Sequence, residues 1–197
     1  MADAVTKSRE DAWAVFTELT KSDSLVKHGL TVEAVMRACA VKYKQDVELW
    51  GMTGLLHDFD YEQYPDVKDH GTIGGRILRE RGFPDNLVHA VMSHNEATGV
   101  VRETLLDKAL FAVDELSGLV TAAVLVQPNK SIHEVNLGSV KRKLKDKAFA
   151  RSVSREDIIR GVVELGTDMD THFAFVIGAM QDAADTIGLQ GVTPNRD

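Results

Sequence analysis

Residues 54–60 read Gly54-Leu55-Leu56-His57-Asp58-Phe59-Asp60. Here an apolar run ends on an imidazole and a carboxylate, two side chains that can bind one metal ion from neighbouring backbone positions. The run closes a helix predicted over about Asp46 to Leu56, which delivers His57-Asp58 at its end. An HD dipeptide by itself is common by chance. Upstream lies His28, and downstream lie His70, His94 and Asp114, so the chain carries the ordered series H…HD…H…H…D.

Outward from this stretch the hydrophobic spacing is helical almost throughout, and no segment sustains a two-residue alternation. A first helix is predicted from about Ser8, its N-cap, to Leu19. A second starts near Asp23 and sets Leu25, His28, Val32, Val35, Met36 and Cys39 on one stripe. Phe59 to Asp69, with Pro65, reads as a loop; a fourth helix runs from about Asp69 to Arg81 and stops at Gly82. Pro84 opens a fifth, to about His94, and Glu103 to about Val126 is the longest apolar helix, ended by Gln127-Pro128. A basic helix from Gly138 to about Phe149 and two more, Arg155–Leu165 and Met169–Ile187, finish the chain. Ser154 and Asp157 are spaced as a capping box. The expected fold class is all-α, a compact single-domain helical bundle over 1–188, with the site within about 25–120, C-terminal helices at 138–188 and a polar tail at 189–197.

Four histidines and two aspartates of the series sit on apolar stripes. His28 lies three residues after Leu25 and four before Val32; His70 precedes Ile73, Gly74 and Ile77 at similar spacings. His94 follows Leu87 and Val91, and Asp114 follows Leu110 by four. One histidine on an apolar face has a bland explanation, a core imidazole hydrogen-bonded to backbone. A buried carboxylate is different, because without a partner it costs several kcal/mol. Six such groups on converging faces read as a metal site. Nitrogen and oxygen donors without thiolate suit iron, manganese, cobalt or zinc better than calcium.

At 197 residues and 44% hydrophobic, the chain can bury a sizeable core. Net charge −7 and a pI near 5.5 argue against long nucleic acids and anionic membranes as partners. The single cysteine, Cys39, allows no intramolecular disulfide and no cysteine-based zinc cluster. No basic-then-apolar leader opens the sequence and no apolar stretch is long enough to span a bilayer, so the expected location is cytoplasmic.

The series resembles the HD-domain superfamily of metal-dependent phosphohydrolases, in particular its small stand-alone bacterial and archaeal members. The matching text is Lys27-His28, Leu55-Leu56-His57-Asp58-Phe59-Asp60-Tyr61, His70 with Arg76-Ile77-Leu78, Val91-Met92-Ser93-His94, and Ala112-Val113-Asp114-Glu115-Leu116. Mononuclear members lack the two middle histidines, so the resemblance is to the dinuclear branch. It implies one ion on His28, His57, Asp58 and Asp114, and a second on His70 and His94, with Asp58 the catalytic bridge. The implied cofactors are two divalent transition-metal ions, iron or manganese first, with zinc, cobalt or nickel also compatible. The implied nucleophile is a water or hydroxide between the ions, and the implied substrate a small phosphate ester or nucleotide. A di-iron HD-type oxygenase and a non-catalytic metal- or nucleotide-binding module remain as alternatives.

Lys130, Lys141, Arg142 and Lys145 belong to a basic segment in an otherwise acidic protein. They read either as a solvated face or as cations for substrate phosphates, Lys141 and Lys145 sharing one helix face. Asp60 and Glu96 each follow a series member by two residues and read as groups orienting a histidine, as additional ligands, or equally as exposed side chains. His89 reads as a surface residue, His133 as part of an irregular stretch with reaching substrate the lesser alternative, and His172 as a satisfied core histidine. Tyr61 and Tyr64 are candidates to stack on a base, as is Trp50, which also reads as core.

Overall fold

The structure, a computed structural model, describes residues 7–191. Those residues form nine α-helices and no strand: α1 (Arg9–Leu19), α2 (Asp23–Tyr43), α3 (Val47–Leu56), α4 (Thr72–Glu80), α5 (Asp85–Ser93), α6 (Leu105–Leu125), α7 (Leu137–Lys145), α8 (Arg155–Glu164) and α9 (Met169–Asp182). Single 3-10 turns stand at Glu96–Thr98 and Ile132–Glu134. No helix among them is long and apolar enough to cross a membrane.

Local chemistry sets most of the starts. Ser8 and Asp11 exchange hydrogen bonds in a capping box at α1, as do Thr104 and Asp107 at α6 and Asn136 and Ser139 at α7. At α8 only half of the box forms: the Ser154 hydroxyl accepts the Asp157 N–H. Gly82 ends α4 as expected, with φ 77° and the Phe83 N–H on the Leu78 carbonyl at 3.0 Å.

Three boundaries depart from the sequence reading. Helix α4 begins at Thr72 rather than Asp69, because its N-cap Gly71 takes φ 78° and the Asp60 carboxylate accepts the N–H groups of Gly71 and Gly74 there. Helix α7 ends at Lys145, four residues early. The loop after it is gathered by the Arg155 guanidinium, which donates to the carbonyls of Ala150 (2.6 Å), Val153 (2.7 Å), Asp146 (3.2 Å) and Phe149. Helix α9 ends at Asp182 and turns follow. Leu189, placed in a polar tail by sequence, is buried, and its carbonyl accepts the Ile132 N–H at 2.8 Å.

The interior holds two hydrophobic clusters. The larger gathers α2, α6, α7, α8 and α9 through residues such as Val35, Met36, Leu116, Val120, Phe173 and Met180. The smaller gathers α1, α3, α4 and α5 around Phe16, Leu55, Phe59, Leu78 and Leu87. Each fully buried side chain of this kind contributes about 1.5–3 kcal/mol. Helices α2 and α3 lie where the clusters meet, and they approach closely: a Cβ on Gly54 would stand 2.8 Å from the Val32 carbonyl oxygen. Cys39 is buried in the larger cluster, where burial pushes its thiol up to about 12 and leaves it unreactive.

Candidate metal centre

Five elements meet at the seam between the clusters. Helix α2 supplies His28; the end of α3 supplies His57 and Asp58; the turn before α4 supplies His70; the last turn of α5 supplies His94; and α6 supplies Asp114. The six fall into two groups that share Asp58: His28, His57, Asp58 and Asp114, and then Asp58, His70 and His94. The two groups use different oxygens of the shared carboxylate. Asp58 Oδ2 stands 3.4 Å from His57 Nε2 and 3.8 Å from His28 Nε2. Asp58 Oδ1 stands 3.0 Å from His70 Nε2 and 3.3 Å from His94 Nε2.

In the first group His28 Nε2 lies 3.1 Å from His57 Nε2 and 3.0 Å from Asp114 Oδ1, and His57 Nε2 lies 3.3 Å from Asp114 Oδ1. In the second, His70 Nε2 and His94 Nε2 are 3.1 Å apart. Two ligands on one ion at about 2.1 Å stand about 3.0 Å apart at right angles and about 3.4 Å at the tetrahedral angle. Most of these spacings fall in that range. The donor set therefore fits a transition metal in each group.

Protons tell the same story. His57 Nδ1 donates to the Gly54 carbonyl at 2.7 Å, His94 Nδ1 to the Val91 carbonyl, and His70 Nδ1 to Asp60 Oδ1 at 2.9 Å. With Nδ1 as the donor in each ring, the Nε2 lone pairs face one another and the carboxylates. Such an arrangement calls for a cation. Burial would lower His57, but Asp58 and Asp114 outweigh it and hold the ring well above its ordinary value. His70 is likewise raised, to about 9, the hydrogen bonds of Asp58 and Asp60 outweighing burial. Burial would raise Asp58 and Asp114, yet the neighbouring imidazoles hold both low.

Asp60 is the carboxylate behind His70. It is fully buried, and its second oxygen accepts the N–H groups of Gly71 and Gly74, each at 2.9 Å. It thus caps α4 and fixes His70 at once, the pattern in which a carboxylate orients a metal-binding imidazole. Glu96, the other candidate for that role, is exposed and paired with Arg102 and Arg160. Asn95 was not singled out by sequence; its amide holds the Val67 and His70 carbonyls at 2.7 and 2.8 Å.

A cavity of about 540 Å³ opens over the cluster. Tyr61 lines it, its ring edge-on to His70 with centroids 5.3 Å apart, together with Asn95, Phe111, Glu115, Ser152 and Val153. Glu115, unremarked in the sequence beyond its place beside Asp114, is pushed up to about 7, first by burial and then by Asp114. The signal was its position on α6, three residues before Gly118, which also lines the space. Lys130, Lys141, Arg142 and Lys145 do not line the cavity. Lys141 instead pairs with Asp170 at 2.6 Å on the exposed face of α7. Trp50 is core, and Tyr64 does not reach the cavity. His133 is exposed and His89 half-exposed, with its Nδ1 3.2 Å from Asp107; His172 is buried, with Nε2 on the Ala112 carbonyl at 2.9 Å.

Comparison with known proteins agrees with this geometry. An uncharacterized protein of Methanocaldococcus jannaschii is 36% identical over 100 residues, which cover 48% of this chain and 58% of the relative. Ribonuclease Y of Nitratidesulfovibrio vulgaris is 29% identical over 98 residues, and that of Desulfotalea psychrophila 29% over 96. Each of these two alignments spans 18% of the ribonuclease, so the match is to a part of those proteins. No solved structure matches. The sequence model of the HD domain matches residues 25–119, the span that holds all six clustered side chains. Residues 25–119, just under half of the chain, are thus similar to the HD domain, a helical domain that points to metal-dependent phosphohydrolases.

Proposed function

We propose that this protein is a metal-dependent phosphohydrolase that holds two divalent transition-metal ions and cleaves a small phosphorylated substrate. The observation that carries the reading is Asp58, whose two oxygens belong to two separate donor groups. His28, His57 and Asp114 complete one group, and His70 and His94 the other. Histidine nitrogen with carboxylate oxygen favours iron or manganese, with zinc, cobalt or nickel also tolerated. Two such ions supply Lewis acidity there, acidifying a water molecule and neutralising charge on the phosphoryl group.

The chain's own residues hold the geometry. The backbone carbonyls of Gly54 and Val91 and the Asp60 carboxylate lock three imidazoles in one tautomer. Tyr61, Phe111 and Val153 wall the cavity and restrict water. The likeness to ribonucleases Y extends to phosphoester chemistry, but a long polyanion is a poor partner for a chain of net charge −7.

The test is elemental mass spectrometry on untagged protein purified anaerobically, followed by a phosphate-release screen. Near two ions per chain and anaerobic phosphate release are expected. Asp58→Asn should lose both ions and turnover together. Normal ion content in that variant would remove the shared-carboxylate role, and oxygen uptake without phosphate release would replace hydrolysis by oxygenation.

A further inference from the structure

The charge on the cavity wall narrows the substrate. We propose that it carries one phosphoryl group and that its remainder bears no second anion but a hydrogen-bond-donating ammonium, as in an amino-alcohol phosphate, received by Glu115. This rests on the phosphohydrolase reading. Beyond the six clustered side chains the cavity is lined by three carboxylates, Glu96, Glu115 and Asp157, and among the described residues by no lysine or arginine. Glu96 is engaged by Arg102 at 3.1 Å and Arg160 at 2.7 Å, and Asp157 by Arg160. Arg102 is further committed to Glu164 at 2.7 Å and lies over the Phe111 ring, 3.6 Å from its centre.

Glu115 stands apart from that network. One of its oxygens accepts the Ser154 N–H at 3.0 Å, and no ion pair reaches it among the described residues. A half-buried carboxylate of this kind gains most from a charge-assisted hydrogen bond with a cation brought by the ligand.

The ions favour the same answer. Two divalent cations against the Asp58 and Asp114 carboxylates leave a surplus of about two positive charges, which one phosphate monoester of about −1.5 to −2 neutralises. A second phosphate, as in a nucleoside diphosphate, would meet Glu115 with no lysine or arginine in the wall to receive it. The lysines that sequence offered for that purpose lie elsewhere.

The test uses phosphonates of matched length, whose C–P bond resists hydrolysis. Calorimetric titration of the manganese-loaded full chain would compare 3-aminopropylphosphonate, propylphosphonate, 3-phosphonopropionate and adenylyl imidodiphosphate. The ammonium compound should bind at least about tenfold more tightly than its carboxylate twin. Glu115→Gln should bring the two to near equality while ion content stays at the wild-type level. Equal or reversed affinities in the wild-type protein, tightest binding of the nucleotide, or a Glu115→Gln variant that keeps the full preference would each overturn the inference. Ion content measured on the same sample separates the failures. Two bound ions with the wrong order sink this inference alone, and none sinks the phosphohydrolase reading with it.

Discussion

Asp60 reaches three donors at once, the His70 ring and the N–H groups of Gly71 and Gly74, and so ties the orientation of an imidazole to the start of a helix. Asp60→Asn should weaken metal binding by His70 and His94 by about 10–100-fold and binding by His28, His57 and Asp114 by less, as read by metal titration. Equal losses at both sites would make Asp60 a folding residue. The sequence left Asp60 open between orienting and exposed, because the turn that folds it under Gly71 is a tertiary feature. The six clustered residues were legible because each is a polar side chain on an apolar stripe. Glu115 carries no such mark. His172 offers a second test at this scale. Burial holds its ring below the usual value of about 6.5, so the unfolded chain binds a proton that the folded chain refuses. Its contribution is complete above that pH and lost as the pH falls through it. With metal removed, His172→Gln should be less stable than wild type at pH 7.5, and the gap should close toward pH 5.5. Urea midpoints at both values check this, and a constant gap would deny the proton linkage.

Helix α3 is buried from Trp50 to Leu56, and its glycines let α2 lie against it. Gly54→Ala would press a methyl group onto the Val32 carbonyl, so α3 must shift and carry His57 and Asp58 with it. The expected cost is about 1–3 kcal/mol in denaturant unfolding, with weaker metal binding alongside. Unchanged ion affinity would mean that the end of α3 adjusts independently of its packing. Helix starts were the most legible parts of the fold, since Ser8 caps α1 and Ser154 caps α8 from within the local sequence. Ends decided by distant residues were not. Asp60 delays α4, Arg155 draws the chain out of α7, and Ile132 draws Leu189 back into the core. The spacing of Lys141 and Lys145 sets both on one side of α7, but where that side points depends on how α7 packs. Lys141 pairs with Asp170, and neither it nor Lys145 lines the cavity.

Across the whole molecule, donors spaced from His28 to Asp114 assemble only when both hydrophobic clusters are in place. The unfolded chain scatters the same side chains, so bound ions favour the native state by mass action. Above the dissociation constant each tenfold rise in free ion should add about 1.4 kcal/mol per site to stability. Chelation should therefore lower Tm, and restoring manganese or iron should raise it with concentration. A Tm indifferent to the ions would mean that the donors do not bind them in the folded state. Because Asp58 serves both groups, occupation of one fixes a ligand of the other. The second ion then meets a carboxylate already immobilised, so the pair should load cooperatively, and half-filled molecules should be scarce at intermediate metal concentrations.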